Sequence, residues 1–297
     1  MHTGRFAPTP SGELHFGSLC TALGSYLRAR SLGGRWLVRI EDLDQERCRP
    51  EHTDSILRVL EAHGLEYDGE VICQSRRRER YLQVLAELKG RDLVYPCSCS
   101  RKRIRELGGI YDGCCRNGAD PEATRVSMRF RNPGTVCALD DVIRGRITAA
   151  PRESSEDFIL LRSDGTPAYN LASVVDDHDQ GVTEIVRGAD LLPVAPRQMN
   201  LMHALGYPVP GYLHLPLILA DPQHKYSKQN LAPPVSPECP GKNLIAALRC
   251  LGQKVPDDLI GAPPEELLRH AVAAFTPQTI PTEDIIIPPG DMNSSMR

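Results

Sequence analysis

The stretch that most constrains the fold of this chain is residues 5–18, which spell RFAPTPSGELHFGS. A short apolar run ends there in a turn rich in Pro and Gly, and the turn leads into a helical pattern. Such a strand–turn–helix corner is where a parallel α/β sheet places its ligand, and a helix N-terminus attracts anions. An Arg opens the stretch and a His stands near its end. We therefore expect this corner to hold a nucleotide and an acidic substrate.

The first 90 residues alternate between strand and helix patterns. Buried strands are predicted at 3–7 and 36–40, and apolar residues recur at helical spacing along 17–32. Further helices are predicted at 50–63 and 75–89, each followed by a Gly. This alternation predicts an α/β fold with a parallel sheet.

The alternation breaks at residues 91–156, which carry clustered Cys, a short basic helix at about 100–107 and turns rich in Gly, Asn and Pro. We interpret this segment as an α+β insertion. It would divide the sheet into a first half at 1–90 and a second half at 157–232. A parallel strand is expected to resume at 157–161.

The second half repeats the pattern of the first. Its strands and helices are predicted at 169–175 (helix), 183–187 (strand), 196–205 (helix) and 213–219 (strand). The remaining residues, 233–297, form a short tail with helices predicted at 242–251 and 264–275. From Thr276 onward the tail is rich in Pro and is expected to be mobile.

The composition excludes several classes of protein. Apolar residues make up 41% and charged residues 25% of the chain, and the net charge is −3, which favours a soluble globular protein over a strongly basic nucleic-acid binder. No apolar run approaches the roughly 20 residues of a membrane helix, and no signal-peptide pattern is visible, so no membrane partner is expected. Ten Cys in this setting favour a reduced cytoplasmic location and a metal site over disulfides. We expect a monomer.

Two motifs carry groups that suit nucleotide chemistry. His15 and Gly17 stand at a predicted helix start, where a His can donate to a phosphate and a Gly permits close approach. Lys225, Ser227 and Lys228 follow the last predicted strand, where the two lysines could clamp a triphosphate. Taken singly, each motif favours a plainer interpretation, a helix cap for His15 and a solvated basic loop for the lysines.

Together the two motifs resemble the class I aminoacyl-tRNA synthetases. Residues 5–12 (RFAPTPSG), 39–44 (RIEDLD) and 185–192 (IVRGADLL) further resemble the glutamate-specific branch of that class. The resemblance implies a Rossmann-type parallel sheet and ATP with Mg²⁺, with His15 and Lys228 as catalytic residues. The ATP site that it implies is formed by His15, Gly17, Ser18, Lys225, Ser227 and Lys228.

The same resemblance implies a glutamate pocket whose chemistry fits the residue types. Arg5 and Arg187 can each present a planar fork to a carboxylate, Glu41 can pair with the ammonium group, and Tyr169 can donate a hydroxyl. Taken singly, such charges are more often surface groups or structural ion pairs. The implied glutamate-binding residues are Arg5, Phe6, Ala7, Pro8, Thr9, Glu41, Tyr169 and Arg187.

The sequence departs from the family pattern in two motifs. Ser18 stands where the signature has a second His, and Tyr226 and Gln229 stand where the lysine loop has Met and Ser. Glutamate-type enzymes vary at the first of these positions. The two lysines and the Ser of the loop are the chemically needed groups, and they are retained. We therefore expect an active enzyme.

The Cys cluster of the insertion has spacing typical of a zinc site. Cys97 and Cys99 form a C-x-C pair, and Cys114 and Cys115 follow about fifteen residues later. Adjacent Cys residues would bind one ion only with strain, so a fourth donor is needed; free thiols are the alternative. The glutamyl-Q tRNA(Asp) synthetases, a short branch related to glutamyl-tRNA synthetase, bind zinc through C-x-C, a Tyr and a Cys four residues later. That resemblance implies one structural Zn²⁺ on Cys97, Cys99, Tyr111 and Cys115.

Three charged runs have open interpretations. The basic runs at 76–80 and 101–105 lie on predicted helices, and they are equally consistent with RNA phosphate contacts and with a solvated helix face. His178 stands within the run DDHD at 176–179, which we interpret as a solvated turn rather than a metal site.

The length after the lysine loop bears on the acceptor. About 68 residues follow Gln229, fewer than the roughly 100 typical of a further domain, so we expect no anticodon-binding domain of the usual kind. The resemblance to the short branch implies tRNA-independent activation of L-glutamate and its transfer to queuosine at the wobble position of tRNA(Asp), whose anticodon loop would enter the active site. The alternatives are a truncated glutamyl-tRNA synthetase that charges a tRNA 3′ end, a non-catalytic glutamate- or RNA-binding paralogue, and a zinc module for protein contact.

Overall fold

The computed structural model describes residues 1–221, the backbone of 224–225, and residues 233–287. The strands are β1 (Thr3–Phe6), β2 (Arg35–Ile40), β3 (Ile72–Cys73), β4 (Val94–Cys97), β5 (Ser127–Phe130), β6 (Ala138–Asp141), β7 (Gly145–Thr148), β8 (Ile159–Leu161), β9 (Glu184–Gly188), β10 (Gly211–Leu215), β11 (Ile218–Asp221), β12 (His224–Lys225) and β13 (Ile285–Ile286). The helices are α1 (Phe16–Ser31), α2 (Pro50–Ala62), α3 (Arg78–Gly90), α4 (Arg101–Glu106), α5 (Pro151–Ser154), α6 (Tyr169–Asp179), α7 (Ala195–Leu205), α8 (Pro240–Cys250) and α9 (Pro264–Ala274). The predicted alternation over the first 90 residues is confirmed.

Two of the sheets contain most of the parallel strands, and these two sheets meet edge to edge. β1, β2 and β3 pair in parallel, as do β9, β10 and β6, and β7 is an antiparallel edge of the second sheet. Where the sheets meet, the N–H of Thr183 donates to the carbonyl of Thr3 at 2.9 Å. In such a sheet the ligand site lies beyond the carboxyl ends of the strands. The turns that follow β1 and β9 therefore face the same side.

Burial on both faces explains the apolar character of the first strands. The ring of Trp36 on β2 is fully buried, stacked 6.4 Å from Phe6 and edge-on to Tyr26 of α1 at 5.2 Å between ring centroids. Its indole N–H donates to Ser25 Oγ at 2.9 Å, so its one polar atom has a partner. Removing such a ring typically costs about 3–5 kcal/mol of unfolding free energy.

The C-terminal helices belong to the same core. Leu244 and Leu248 of α8 and Leu268 of α9 are buried in the cluster that includes the inner face of α1. β13 pairs in parallel with β11, and the N–H of Ile285 donates to the carbonyl of Leu217 at 2.8 Å. The prediction that the chain is mobile from Thr276 is therefore wrong for residues 276–287.

The strand after the insertion is the main correction to the predicted fold. The prediction that a parallel strand resumes at 157–161 is wrong, because β8 pairs antiparallel with β5, which in turn pairs antiparallel with β4. Conversely, β6 lies within 91–156 but pairs in parallel with β10. A short apolar run indicates burial and not the direction of its partner strand. The division into 1–90, 91–156, 157–232 and 233–297 stays a prediction.

Smaller differences have local causes. The strand predicted at 213–219 is two strands, β10 and β11, interrupted at Pro216, which has no N–H to donate. The helix predicted to end at 175 continues to Asp179. Within the ranges that the structure describes, no helix is long and apolar enough to cross a bilayer.

Candidate active site

A cavity of about 480 Å³ opens beyond the carboxyl ends of β1 and β9. Its walls come from the turn after β1, the start of α1, the end of β2, the start of α6 and the end of β9. The lining residues are Arg5, Phe6, Ala7, Pro8, Thr9, Ser11, His15, Ser18, Thr21, Glu41, Tyr169, Val186, Arg187, Gly188 and Leu191. One cavity thus brings together every residue of the predicted glutamate set with two of the predicted nucleotide residues, His15 and Ser18.

Arg5 lines this cavity and has a carboxylate partner. Its side chain is buried, its Nε donates to Asp177 Oδ1 at 3.0 Å, and its Nη1 donates to the carbonyl of Val186 at 3.2 Å. Arg39 of β2 donates to the same Asp177 oxygen at 2.7 Å. Although burial raises the pKa of Asp177, the Arg39 and Arg5 charges hold it below its usual range. Asp177 is therefore an ionised carboxylate that two buried guanidinium groups share.

The acidic run 176–179 is not the solvated turn that we predicted. Asp176 and Asp177 are buried in α6, and Asp176 Oδ1 accepts a hydrogen bond from Arg77 Nε at 2.7 Å. The ring of His178 stacks on Tyr207 with the ring centroids 3.6 Å apart. Arginines from β2 and from the start of α3 supply the counter-charges that allow carboxylates to be buried here. Arg39, Asp176 and Asp177 are site-supporting residues to which the sequence analysis assigned no role in the site.

Glu41 follows β2 and lines the same cavity. Its side chain is 10% exposed, and Oε1 lies 3.4 Å from Arg39 Nη2. Burial raises the pKa of Glu41, and the charges of Arg39 and Arg5 oppose that effect. A carboxylate that has lost most of its water is stabilised by a further cation. Glu41 thus has the electrostatic setting that an ammonium partner requires.

Arg187 lines the same cavity and is held by neutral groups. Nε lies 3.1 Å from Nε2 of His214, Nη1 donates to Gln198 Oε1 at 2.8 Å, and Nη2 donates to the carbonyl of Leu191 at 3.2 Å. The side chain is buried. These bonds fix the orientation of the guanidinium group without neutralising its charge.

The predicted nucleotide corner contains a helix cap. His15 is the N-cap of α1, where its Nδ1 accepts from the backbone N–H of Ser18 at 3.2 Å and its Nε2 lies 2.9 Å from Ser18 Oγ. The capping interpretation of His15 is therefore confirmed, and Ser18 contacts the ring it follows. A Cβ added to Gly17 would meet His15 Nδ1 at 3.3 Å, so the Gly gives room to that ring. Their roles toward ATP stay predictions.

The chain on both sides of the lysine motif is described, up to Asp221 and again from residue 233. β11 ends at Asp221, and on the other flank the N–H of Val235 donates to the carbonyl of Leu14 at 2.8 Å. A β-bridge joins Pro234 to His15. The C-terminal flank therefore lies beside the nucleotide corner. The predicted ATP-site residues outside the described side chains are Lys225, Ser227 and Lys228.

Three of the predicted zinc ligands converge in the insertion. The Sγ atoms of Cys97, Cys99 and Cys115 all lie within 4.8 Å of one another, with 3.6 Å between Cys99 and Cys115. Sulfurs bonded tetrahedrally to one zinc at 2.3 Å stand about 3.8 Å apart, which fits. The hydroxyl oxygen of Tyr111 accepts from the N–H of Cys115 at 2.8 Å. The exposed thiol of Cys114 lies 3.3 Å from Cys99 Sγ but outside that group of three.

Two arginines face the sulfur atoms of this cluster. Nε of Arg129 donates to Cys97 Sγ at 3.2 Å, and its guanidinium group lies 3.9 Å above the ring of Tyr111. Nη1 of Arg103 donates to Cys99 Sγ at 3.6 Å. Positive charges beside Cys stabilise the thiolate form that a metal binds.

The two basic runs contain structural ion pairs. Arg80 of the first run makes two hydrogen bonds of 2.9 Å to the carboxylate of Asp179. Arg103 of the second run pairs with Asp112 at 2.5 Å. Part of each run is therefore committed to carboxylates within the chain, and RNA contact by the other members stays a prediction.

Comparison with known proteins agrees with this geometry. The family described as tRNA synthetases class I (E and Q), catalytic domain, matches residues 2–239. A protein of Cronobacter sakazakii named glutamyl-Q tRNA(Asp) synthetase is 52% identical over 281 residues and covers 94% of each chain. A protein of Citrobacter koseri with the same name is 50% identical and covers 99% of this chain and 98% of its own. The crystal structure of a glutamate tRNA ligase from Elizabethkingia meningosepticum shares the fold, with a TM-score of 0.79 at 24% identity over 99% of this chain and 68% of that chain.

The fold and the family match define a class I aminoacyl-tRNA synthetase of the glutamate and glutamine type, which is a ligase that uses ATP with Mg²⁺. Within that class, the chain belongs to the glutamyl-Q tRNA(Asp) synthetase family. The predicted class I catalytic fold is thereby confirmed. The zinc site and the role of each pocket residue stay predictions.

Proposed function

We propose that the chain activates L-glutamate with ATP in the absence of tRNA and transfers the glutamate to queuosine at the wobble position of tRNA(Asp). The observation that carries this proposal is the single cavity in which Arg5, Glu41 and Arg187 lie beside the N-terminus of α1. Two guanidinium groups and one carboxylate complement the two carboxylates and the ammonium group of glutamate. The helix N-terminus provides a positive dipole for the phosphates.

The first step forms glutamyl-adenylate. A carboxylate oxygen of glutamate attacks the α-phosphorus of ATP, and the bond from that phosphorus to the pyrophosphate oxygen breaks. No proton has to move, so positioning and charge stabilisation carry the rate. His15 and Lys228 stabilise charge on the phosphates, which enter with Mg²⁺. The supporting contacts to ATP come from Gly17, Ser18, Lys225 and Ser227.

The second step esterifies queuosine. A hydroxyl of its cyclopentenediol attacks the activated carbonyl, the carbonyl–phosphate bond breaks, and AMP leaves. The adenylate phosphate is a suitable acceptor for the hydroxyl proton. The name shared by the relatives at 50–52% identity supports this acceptor, with the anticodon loop of tRNA(Asp) entering the cavity.

A second candidate is the charging of a tRNA 3′ end. Its support is the fold shared with a glutamate tRNA ligase. Both candidates begin with the same adenylate, so they differ only in which hydroxyl attacks it. A non-catalytic paralogue is a third possibility that a test of the first step addresses.

The first test measures glutamate-dependent exchange of pyrophosphate into ATP without tRNA. We expect exchange with L-glutamate, little with glutamine or aspartate, and a loss of at least about 100-fold in Lys228→Ala, because a charge that stabilises the transition state is removed. Lys89→Ala, at the exposed end of α3, serves as the matched lysine control. Absence of exchange in the wild-type protein would refute the proposal and leave the non-catalytic paralogue.

The second test locates the ester. Labelled glutamate is supplied with tRNA(Asp) that carries either queuosine or guanosine at the wobble position, and nuclease digestion then separates the 3′ adenosine from the anticodon fragment. We expect label on the queuosine nucleotide alone. Label on the 3′ adenosine of both tRNAs would favour the charging enzyme instead.

The proposal includes one structural Zn²⁺. Three sulfurs within 4.8 Å of one another and two arginines directed at them support it. The metal would tie the end of β4 to the turn at 114–117, and it takes no part in either chemical step. Its proposed ligands are Cys97, Cys99, Tyr111 and Cys115.

Metal analysis tests this site. We expect about one zinc per chain in the wild type and in Cys239→Ser, which changes an exposed thiol far from the cluster in sequence, and none in Cys97→Ser. Tyr111→Phe should weaken zinc retention against a chelator about tenfold or more, whereas Cys114→Ser should not. Unchanged zinc in Cys97→Ser would remove the site, and the reverse order of the last two variants would assign the fourth ligand to Cys114.

A further inference from the structure

Arg187 is oriented by residues that no sequence motif indicates. From their geometry we infer that Asp141 and His214 are a positioning pair that fixes Arg187 for binding a substrate carboxylate. Asp141 ends β6, His214 lies on β10 and Arg187 lies on β9. The contacts from Asp141 through His214 to Arg187 therefore cross three adjacent strands. The inference rests on the proposed role of Arg187 in glutamate binding.

The carboxylate of Asp141 is fully supplied with donors. Its Oδ2 accepts from Nδ1 of His214 at 2.8 Å and from the backbone N–H of His214 at 2.9 Å. Its Oδ1 accepts from the backbone N–H groups of Ile143 and Arg144, both at 3.1 Å. Burial raises the pKa of Asp141, but these hydrogen bonds hold it below its usual range. Asp141 is therefore ionised and acts only as an acceptor, so Nδ1 of His214 carries a proton.

The other ring nitrogen is defined from the opposite side. Nε2 of His214 lies 3.1 Å from Nε of Arg187, and an arginine can only donate. Nε2 must therefore offer its lone pair. Of the three protonation forms of the His214 ring, only the neutral form with hydrogen on Nδ1 satisfies both partners. The pair thus selects one tautomer, in the same way that a carboxylate orients a metal-bound or catalytic His.

This arrangement leaves a specific part of Arg187 for a ligand. The guanidinium group has five N–H bonds, and His214, Gln198 and Leu191 each use one, on three different nitrogens. Within the part of the chain that the structure describes, one N–H remains on Nη1 and one on Nη2. A carboxylate can bind one hydrogen of each of these nitrogens in a bidentate mode. Because Nε2 of His214 accepts from Nε and resists protonation, it holds the guanidinium group of Arg187 in one orientation relative to the cavity.

The pair also predicts a pH dependence. The charged and titratable groups that face His214 are Asp141 on β6, Arg144 after it, Arg187 on β9, and Tyr212, whose ring stacks at 5.8 Å between centroids. Burial lowers the pKa of His214, and the charges of Arg187 and Arg144 lower it further, against the effect of Asp141. Protonation would place an N–H of His214 against an N–H of Arg187. Glutamate binding should therefore weaken as the pH falls through the lowered pKa of His214, which lies below the ordinary histidine value of about 6.5.

The decisive variant is Asp141→Asn. The Asn oxygen can still accept from the backbone N–H groups of Ile143 and Arg144. Its NH₂ then takes the place of Oδ2, where it no longer accepts from the backbone N–H of His214 and forces the ring hydrogen of His214 onto Nε2, opposite Arg187. We expect the KM for glutamate in pyrophosphate exchange to rise roughly 10- to 100-fold, with the KM for ATP within about twofold of wild type. Thermal unfolding and circular dichroism confirm that the variant is folded.

A second variant separates positioning from simple structural damage. His214→Gln puts an acceptor oxygen near Arg187 Nε that does not titrate, so the KM for glutamate should stay within about threefold of wild type and lose its rise at acid pH. In the double variant Asp141→Asn/His214→Gln, the side-chain amide at 141 no longer controls a ring tautomer. We expect the double variant to bind glutamate better than Asp141→Asn alone.

The outcomes are distinct. Rescue in the double variant, together with a pH-independent KM in His214→Gln, supports the positioning pair. Additive losses in the double variant, or an Asp141→Asn variant that is folded and has a normal KM for glutamate, would overturn it while leaving the proposed function intact. Absence of exchange in the wild-type protein would instead remove the proposed function on which the inference rests.

Discussion

The cavity lining contains two buried arginines in opposite electrostatic settings. Arg5 is paired with Asp177, a carboxylate that it shares with Arg39. Among the described residues, Arg187 donates to an imidazole nitrogen, an amide oxygen and a backbone carbonyl, all of which are neutral. A counter-charge stabilises the fold and reduces the attraction for a ligand, whereas neutral acceptors orient the group and leave its charge available. We therefore expect Arg5 to contribute chiefly to the stability of the fold and Arg187 chiefly to the binding of a substrate.

The largest expected effect is a loss of stability on removal of the carboxylate that pairs with Arg5. Asp177→Asn removes the shared counter-charge and leaves Arg5 and Arg39 buried with too few partners, so the free energy of unfolding should fall by about 3–5 kcal/mol. Urea unfolding at pH 7 measures this. The contribution of the Asp177 carboxylate is full above the ordinary aspartate pKa of about 4 and is lost as the pH falls through its lowered value. The difference between wild type and variant should therefore shrink in acid.

A nearby carboxylate provides the control for that prediction. Asp179 also pairs with arginines, but its side chain is 22% exposed and Arg80 is 36% exposed. Asp179→Asn should lower the free energy of unfolding by only about 1 kcal/mol. Equal losses in the two variants would contradict the distinction between the buried network and the surface pair.

The second-largest effect concerns the affinity for glutamate that Arg187 provides. Arg187→Gln removes the charged fork but no carboxylate is left unpaired in its hydrogen-bond set, so we expect the KM for glutamate to rise roughly 100-fold with a small change in melting temperature. Discrimination of glutamate against glutamine should fall as well. Arg5→Gln, in contrast, should lower both stability and affinity. A large loss of melting temperature in Arg187→Gln would contradict the proposed difference between Arg5 and Arg187.

The smallest effect tests the orientation of Arg187. Gln198→Ala removes the neutral acceptor of Nη1, whose bond is 2.8 Å long. We expect the KM for glutamate to rise about two- to tenfold, because one neutral hydrogen bond is lost and the charge remains. A rise as large as that of Arg187→Gln would show that orientation matters as much as the charge.

The sequence predicted the lining of the cavity better than its support. Arg5, Glu41 and Arg187 stand in local motifs at strand ends, where chemistry follows directly from residue type and position. Their partners Asp177 and His214 come from 172 and 27 residues away along the chain, and no local pattern records such a pairing. Long-range contacts depend on strand order, which short apolar runs do not specify.

One signal for the buried network was nevertheless present. Arg39 stands inside the run WLVRI, which is apolar enough to predict a buried strand. A buried arginine requires carboxylate partners, and the run DDHD at 176–179 is a concentrated source of them. Its pattern was interpreted as a solvated turn because acidic runs are usually exposed. The strand direction at 159–161 had no comparable signal, since its partner lies in the insertion.

The bridge between Pro234 and His15 ties the chain that follows the lysine motif to the nucleotide corner. In the sequence, Lys228 stands seven residues before Val235, whose N–H donates to the carbonyl of Leu14. A seven-residue span reaches at most about 25 Å. The proposed contact of Lys228 with the phosphates is therefore an intramolecular step, in which the motif is present at a high effective concentration.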